Sequence, residues 1–177
     1  TSYPLKLTGM KDFLTSAVKP KTCGTEIISS NNFPDGAQGN VLFNTFIGFQ
    51  GIKQHRIHED GSGIIAHETA PLLQSTDPNF RPVDLRFGPD GALYIVDWYN
   101  PIINHGQRAL RDQQRDHTHG RIWRLTYKHK KLLTPVDLTK LSIEQLLNQL
   151  KVYEDRHRYT TRTQLRQLPA ETVIPAL

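Results

Sequence analysis

The chain has 177 residues, 37% of them hydrophobic and 22% charged, with a formal net charge of +5. That is enough for one ordinary domain or two small ones, and too rich in aromatic and branched residues for a disordered chain. No stretch approaches the roughly 20 apolar residues needed to cross a bilayer. The single cysteine, Cys23, excludes an intrachain disulfide and a four-cysteine zinc site, and it reads as a small half-buried residue rather than a nucleophile. The chain begins Thr1-Ser2 without a leader-like segment, which is read as a processed product or a piece of something longer.

In chain order, residues 1 to about 23 are mixed, with one or two helical turns expected over Met10 to Val18 before Pro20. Residues 24 to about 133 carry short apolar runs broken by Gly, Pro, Asn and Asp, and read as antiparallel strands. Thr25 to Ser30 comes first. Val41 to Ile47 follows, with Val41, Phe43, Thr45 and Ile47 alternating on one face. Ile52 to His58 and Ile64 to Glu68 flank the turn signal Glu59-Asp60-Gly61-Ser62-Gly63. Pro82 to Phe87 alternates Val83, Leu85 and Phe87. Pro89-Asp90-Gly91 is a tight turn, and Leu93 to Trp98 and Gly120 to Tyr127 complete the series.

Phe33-Pro34-Asp35-Gly36-Ala37 is echoed by Phe87-Gly88-Pro89-Asp90-Gly91-Ala92, the Pro-Asp-Gly-Ala cores being offset by 55 residues. A meander of about four strands recurring every roughly 40–50 residues is the pattern of a β-propeller blade, with an insertion around Leu72 to Phe80 lengthening the spacing. Beyond Pro135 the period changes to that of helices. Ser142-Ile143-Glu144-Gln145 has the form of a capping box, and Ile143, Leu146, Leu147 and Leu150 make one apolar stripe. A second helix is expected from about Asp155 to Leu168 and a third from Glu171. Such short one-striped helices suggest the opening of a helical repeat array.

From His105 to Lys131 there are eight Lys or Arg and only two Asp. Without an aromatic-interleaved basic motif or a recognition-helix pattern, this excess reads as a solvated loop and strand. A nucleic-acid partner is not expected.

The run Phe80-Arg81-Pro82-Val83-Asp84-Leu85-Arg86-Phe87-Gly88-Pro89-Asp90-Gly91-Ala92-Leu93-Tyr94-Ile95-Val96-Asp97-Trp98-Tyr99-Asn100-Pro101, with Arg115-Asp116-His117-Thr118-His119-Gly120-Arg121-Ile122-Trp123-Arg124 and Glu154-Asp155-Arg156, resembles the bacterial PVC-type haem-binding CxxCH proteins, also described as membrane-bound dehydrogenases. The resemblance covers roughly residues 34 to 168. It implies a mainly β then α fold. Residues 1–135 would be the last blades of a sugar-dehydrogenase-like β-propeller, four-stranded antiparallel meanders. Residues 136–177 would be the first short antiparallel helices of a HEAT-type region. It implies a parent that oxidises a sugar or alcohol and passes electrons to a c-type haem outside this stretch, in a periplasmic, secreted or membrane-associated setting. Pyrroloquinoline quinone and haem c are the cofactors implied for the parent, and none is expected in this stretch itself. The implied partners are the parent's other blades, its helical repeats, its cytochrome c module and carbohydrate. In related soluble sugar dehydrogenases a pair of arginines before the signature Asp binds the quinone. Arg81 matches the first, and Val83 stands at the second.

Strand order alone gathers Arg81, Asp84, Asp97, Tyr99, Asn100, His105, Arg115, Asp116, His117 and His119 at one end of the meander, opposite the Pro89-Asp90-Gly91 turn and on the side of the Gly48-Phe49 turn. These are the candidates for a substrate or cofactor face. The Trp98–Gly120 connection is long enough to be functional. His117-x-His119 with Asp97, Asp112 or Asp116 could ligate a metal, contact substrate, or brace the loop against arginines, and no metal is assigned. Trp98 and Trp123 read as packing residues rather than sugar platforms. A non-catalytic module gripping a polysaccharide or protein is the alternative function.

Overall fold

The computed structural model describes residues 21–101 and 112–177. The turn expected over Met10 to Val18 and the candidate His105 lie outside them. Two sheets are followed by three short helices, and among the described residues neither sheet closes into a barrel. No helix among these residues is long and apolar enough to cross a membrane.

The first sheet runs β1 (Lys21–Ile27), β2 (Val41–Ile47), β3 (Gly51–Asp60) and β4 (Gly63–Glu68), with β5 (Leu73–Gln74) pairing the start of β3. All these pairings are antiparallel. β3 and β4 close through the two residues Gly61 and Ser62, the shortest hairpin loop. Gly51 tolerates no side chain: a Cβ there would lie 2.2 Å from the Leu73 carbonyl oxygen and 2.6 Å from the Phe49 ring. β5 itself falls inside the segment read as an insertion.

β2 has the expected bounds, and the row it buries most is not the one that carries the apolar alternation. Leu42 and Asn44 are fully buried, while Val41 and Phe43 are half-buried and Ile47 is exposed. The polar Asn44 in the inward row hid the alternation. Thr45 is buried as well because its hydroxyl donates to the Gly51 carbonyl at 2.9 Å.

The second sheet has the order β6 (Pro82–Phe87), β7 (Leu93–Asp97), β8 (Arg121–Leu125). Its core row is Leu85 and Phe87 on β6 and Leu93, Ile95 and Asp97 on β7, all buried. The turn between β6 and β7 is held by Gly88 N–H to Ala92 O and Gly91 N–H to Gly88 O. Gly91 has φ 78°, and a Cβ there would meet the Ser30 hydroxyl at 2.8 Å. Both the backbone conformation and the space demand glycine.

The helices are α1 (Ile143–Gln149), α2 (Asp155–Leu165) and α3 (Ala170–Val173). The capping box at α1 is complete: Gln145 N–H donates to the Ser142 hydroxyl at 3.2 Å, and Ser142 N–H donates to Gln145 Oε1 at 2.9 Å. Of the expected stripe Leu146 is fully buried, and Ile143, Leu147 and Leu150 are half-buried.

By its internal contacts the chain divides into two compact units. One takes the described residues up to Ile28, Gly39–Arg86 and Ile95–Trp123. The other takes Ser29–Gln38, Phe87–Tyr94 and Arg124–Leu177. In the second unit Asn32 ties down residues 127–131. Its side-chain amide donates to Lys130 O at 3.0 Å and accepts from Tyr127 N–H at 3.1 Å. Asp90 in the same unit accepts from Arg124 Nη2 at 2.5 Å, from the Tyr94 hydroxyl at 3.0 Å and from Ala92 N–H at 3.1 Å. Burial alone would raise the Asp90 carboxyl; these three donors hold it below its ordinary value.

Candidate functional site

The exit of β7 and the approach to β8 are organised by one carboxylate. Asp97 is 1% exposed. Its Oδ1 accepts the backbone N–H of Arg81 at 2.8 Å and of Tyr99 at 2.9 Å. Its Oδ2 accepts Arg121 Nε at 2.7 Å and Trp123 Nε1 at 2.9 Å. Four donors saturate a buried carboxylate, so Asp97 is a brace and has no capacity left for substrate. Arg121 extends the brace to Asp77 through Nη1 at 2.8 Å, and its guanidinium lies 4.1 Å from the Tyr99 ring centroid and 5.1 Å from that of Trp123. Asp77 is held below its ordinary value first by the Asn79 N–H and then by Arg121. Tyr99 has φ 55°, a conformation that an aromatic residue adopts only when its surroundings fix it. Here they do: its N–H is bound to Asp97 and its ring to Arg121.

Arg81 is likewise committed. Its Nε donates to Asn100 O at 3.0 Å and its Nη2 to Pro101 O at 3.2 Å. Arg81 lines a groove with Gly48, Phe49 and Pro101, so the Gly48-Phe49 turn does lie at this end. The guanidinium is spent on the loop, and Val83 carries no charge. The residues present therefore do not fit the arginine pair that would hold a quinone. Asp84 lines neither this groove nor the next; its Oδ1 accepts the Leu85 N–H at 2.9 Å, and Arg86 lies 3.5 Å away. Across from it Cys23 donates to Pro82 O at 3.4 Å, and burial, aided by the Asp84 charge, pushes its thiol up to about 11, so it is no nucleophile at neutral pH.

A second groove, of about 580 Å³, is lined by Trp98, Asn100, Arg115, Asp116, His117, Thr118 and His119. Five of the ten sequence candidates meet here, with Thr118 and Trp98 added. The segment is a run of turns rather than an extended strand, so His117 and His119 do not share a strand face. Asp116 organises it. Its Oδ1 accepts from Thr118 N–H at 2.8 Å, the Thr118 hydroxyl at 2.9 Å and His119 N–H at 3.0 Å. Its Oδ2 lies 2.8 Å from His119 Nδ1. The Thr118 N–H first, and the His119 imidazole next, hold the Asp116 carboxyl well below the usual range. With Nδ1 bound to the carboxylate, His119 presents Nε2 outward on a side chain that is 72% exposed.

Trp98 is 47% exposed and lines this groove, a correction to its reading as a packing residue. Trp123, at 44%, offers its ring to Arg121 and its N–H to Asp97. Asp77 and Thr118 were not singled out from the sequence; Asp77-Pro78-Asn79, a turn signal, marks the first. Among the described residues no group of three or more His, Cys, Asp or Glu is arranged to hold a metal ion.

No curated protein and no solved structure matches the chain. One protein family does, over residues 7–129: the chain belongs to the family described as a domain of unknown function, DUF7133.

Proposed function

We propose that residues 1–135 form the closing blades of a sugar-dehydrogenase-like β-propeller and residues 136–177 the start of a HEAT-type helical region, within a bacterial periplasmic, secreted or membrane-associated protein. That parent oxidises a sugar or alcohol and passes the electrons to a c-type haem outside this chain. Two successive antiparallel meanders, each associated with a Pro-Asp-Gly-Ala segment, and the short helices that follow support the architecture. The role of this chain is to supply part of the substrate-binding face. The observation that carries it is the Asp116–His119 pair beside a half-exposed Trp98 in one groove.

The chemistry suits a polyhydroxylated ligand. An exposed indole face stacks on the apolar face of a sugar ring. Oxidation of an alcohol needs its hydroxyl proton removed as the carbon gives up a hydride, here to a two-electron acceptor that the parent would hold outside this chain and that would pass the electrons singly to the haem. A neutral imidazole whose Nδ1–H is held by a carboxylate offers its Nε2 lone pair for that proton.

A second reading, a non-catalytic module that binds a polysaccharide or protein, is favoured by the commitment of Arg81 and Asp97 to structural bonds. Sugar-dependent reduction of a redox dye by the full-length parent separates the two. Turnover that falls in His119→Gln without a change in melting temperature supports the dehydrogenase. Saccharide binding without turnover supports the module, and the absence of both defeats either reading.

A further inference from the structure

We infer that the Trp98–His119 groove selects a saccharide bearing an anionic group, a carboxylate or a sulfate, and that Arg115 is the residue that selects it. This rests on reading the groove as a saccharide site. The groove contains one carboxylate and one guanidinium, and they are not spent on each other. Asp116 is consumed by Thr118 and His119. Arg115 Nε is enclosed and has no acceptor, and the guanidinium has no carboxylate within ion-pair distance, among the described residues. Elsewhere in the same unit the carboxylates beside arginines are taken: Asp97 and Asp77 by Arg121.

Arg115 is therefore the lining charge with hydrogen-bonding capacity left, while Asp116 keeps its own charge, bonded to Thr118 and His119. The Nε itself is closed off; the Nη donors, which likewise have no acceptor among the described residues, are the ones a ligand can supply with one. A carboxylate or sulfate oxygen does so best, since the planar fork matches two oxygens at once. Around it Trp98 offers a ring face, and His117 and His119 offer groups that bond hydroxyls. The volume of about 580 Å³ lies within the roughly 300–1,000 Å³ of small-molecule sites. Neutral sugars would leave the Arg115 charge without a counter-charge, so preference follows from the charge and not from the ring.

The test is titration of the full chain with D-glucose, D-glucuronate, D-glucose 6-sulfate and inorganic sulfate, followed by the Trp98 indole resonance. At least one anionic sugar is expected to bind about tenfold or more tightly than glucose; which one does so identifies carboxylate or sulfate. That preference should weaken as salt rises and vanish in Arg115→Gln, the anionic sugar then binding no more tightly than glucose. Equal affinity for all three sugars overturns the inference and leaves the saccharide groove standing. Binding of no sugar overturns both, and inorganic sulfate binding as tightly as glucose 6-sulfate removes the saccharide from the proposal. If Arg115→Gln does not fold, the salt dependence of the native chain decides: anionic-sugar binding insensitive to salt overturns it.

Discussion

The rings of Phe33 and Phe87 meet edge to face, their centroids 5.1 Å apart and their planes at 89°. They are the leading residues of the two Pro-Asp-Gly-Ala echoes, and both are buried. The echoes differ in backbone. Asp35–Ala37 forms a single 3-10 turn, whereas the second copy is a turn with Gly91 at φ 78°. What the two copies share is an aromatic anchor in a common core, not a repeated turn.

Phe87→Ala is expected to cost about 3–5 kcal/mol, the loss of a buried aromatic plus the cavity it leaves. Phe87→Leu, which keeps most of the volume, should cost about 1.5 kcal/mol or less. Ile122, 72% exposed, provides the contrast: Ile122→Ser should stay within about 0.5 kcal/mol. Urea midpoints rank the three, and a Phe87→Ala midpoint equal to that of Ile122→Ser would show that the ring pair does not anchor this core.

Removing Asp97 strands four donors at once. Asp97→Ala should lower stability by an amount near the bottom of the about 3–5 kcal/mol range for a broken buried pair, because Asp77 still holds Arg121. Asp97→Asn should cost less, since its carbonyl oxygen can still accept from Arg81 and Tyr99 while its NH2 faces Arg121. Denaturant unfolding followed by Trp123 emission measures both, and an unchanged midpoint for Asp97→Ala contradicts the bracing role.

Gly51→Ala should cost about 1–3 kcal/mol, the overpacking range, because the new methyl group falls on the Leu73 carbonyl. Gly36→Ala, with nothing within 4 Å, should be close to neutral. Loss of amide protection at Leu73 and Gln74 in Gly51→Ala, seen by hydrogen exchange, would locate the damage in β5. Equal stability of the two variants would refute the close approach.

The depressed Asp116 carboxyl sets a pH window. A carboxyl held lower in the folded chain than in the unfolded one stabilises its turn fully above the ordinary Asp value of about 4, and that stabilisation is lost as pH falls through the folded value. The Thr118 and His119 bonds to Asp116 should therefore persist at pH 4 and open only in stronger acid. Carboxyl carbon NMR checks this directly: titration of Asp116 at about 4 would mean that the turn is not held as described.

Much of the fold is legible in the sequence because it follows from local chemistry. The Ser142–Gln145 cap, the Gly61-Ser62 hairpin and the Gly91 turn depend on residues a few positions apart, and each stands where its signal puts it. The clustering of Asn100, Arg115, Asp116, His117 and His119 followed from counting strand ends. What the sequence did not reveal depends on distant partners. Asp97 is spent on Arg121 and Trp123, more than 20 residues away, which selects bracing from the three roles the sequence left open. Trp98 lies in the groove because the strand hydrogen bonding ends beside it, and no periodicity reports that. Asn44 puts a polar side chain in the buried row of β2, which the apolar alternation does not report.

The second compact unit joins Ser29–Gln38, Phe87–Tyr94 and everything from Arg124 onward. On a ribosome the first of these segments emerges some 90 residues before the Lys130 and Lys131 carbonyls that Asn32 binds. Phe33 likewise waits for Phe87. Vectorial synthesis therefore leaves Ser30, Asn32 and Phe33 without all their native neighbours until residue 131 has been made, and closing such long loops slows folding. Neither unit is a contiguous stretch, so no single cut yields one of them whole. A truncation before residue 124 would remove the helices and, with them, the residues that Asn32 holds. Chaperone demand during translation should fall once residues 124–177 have emerged, not before.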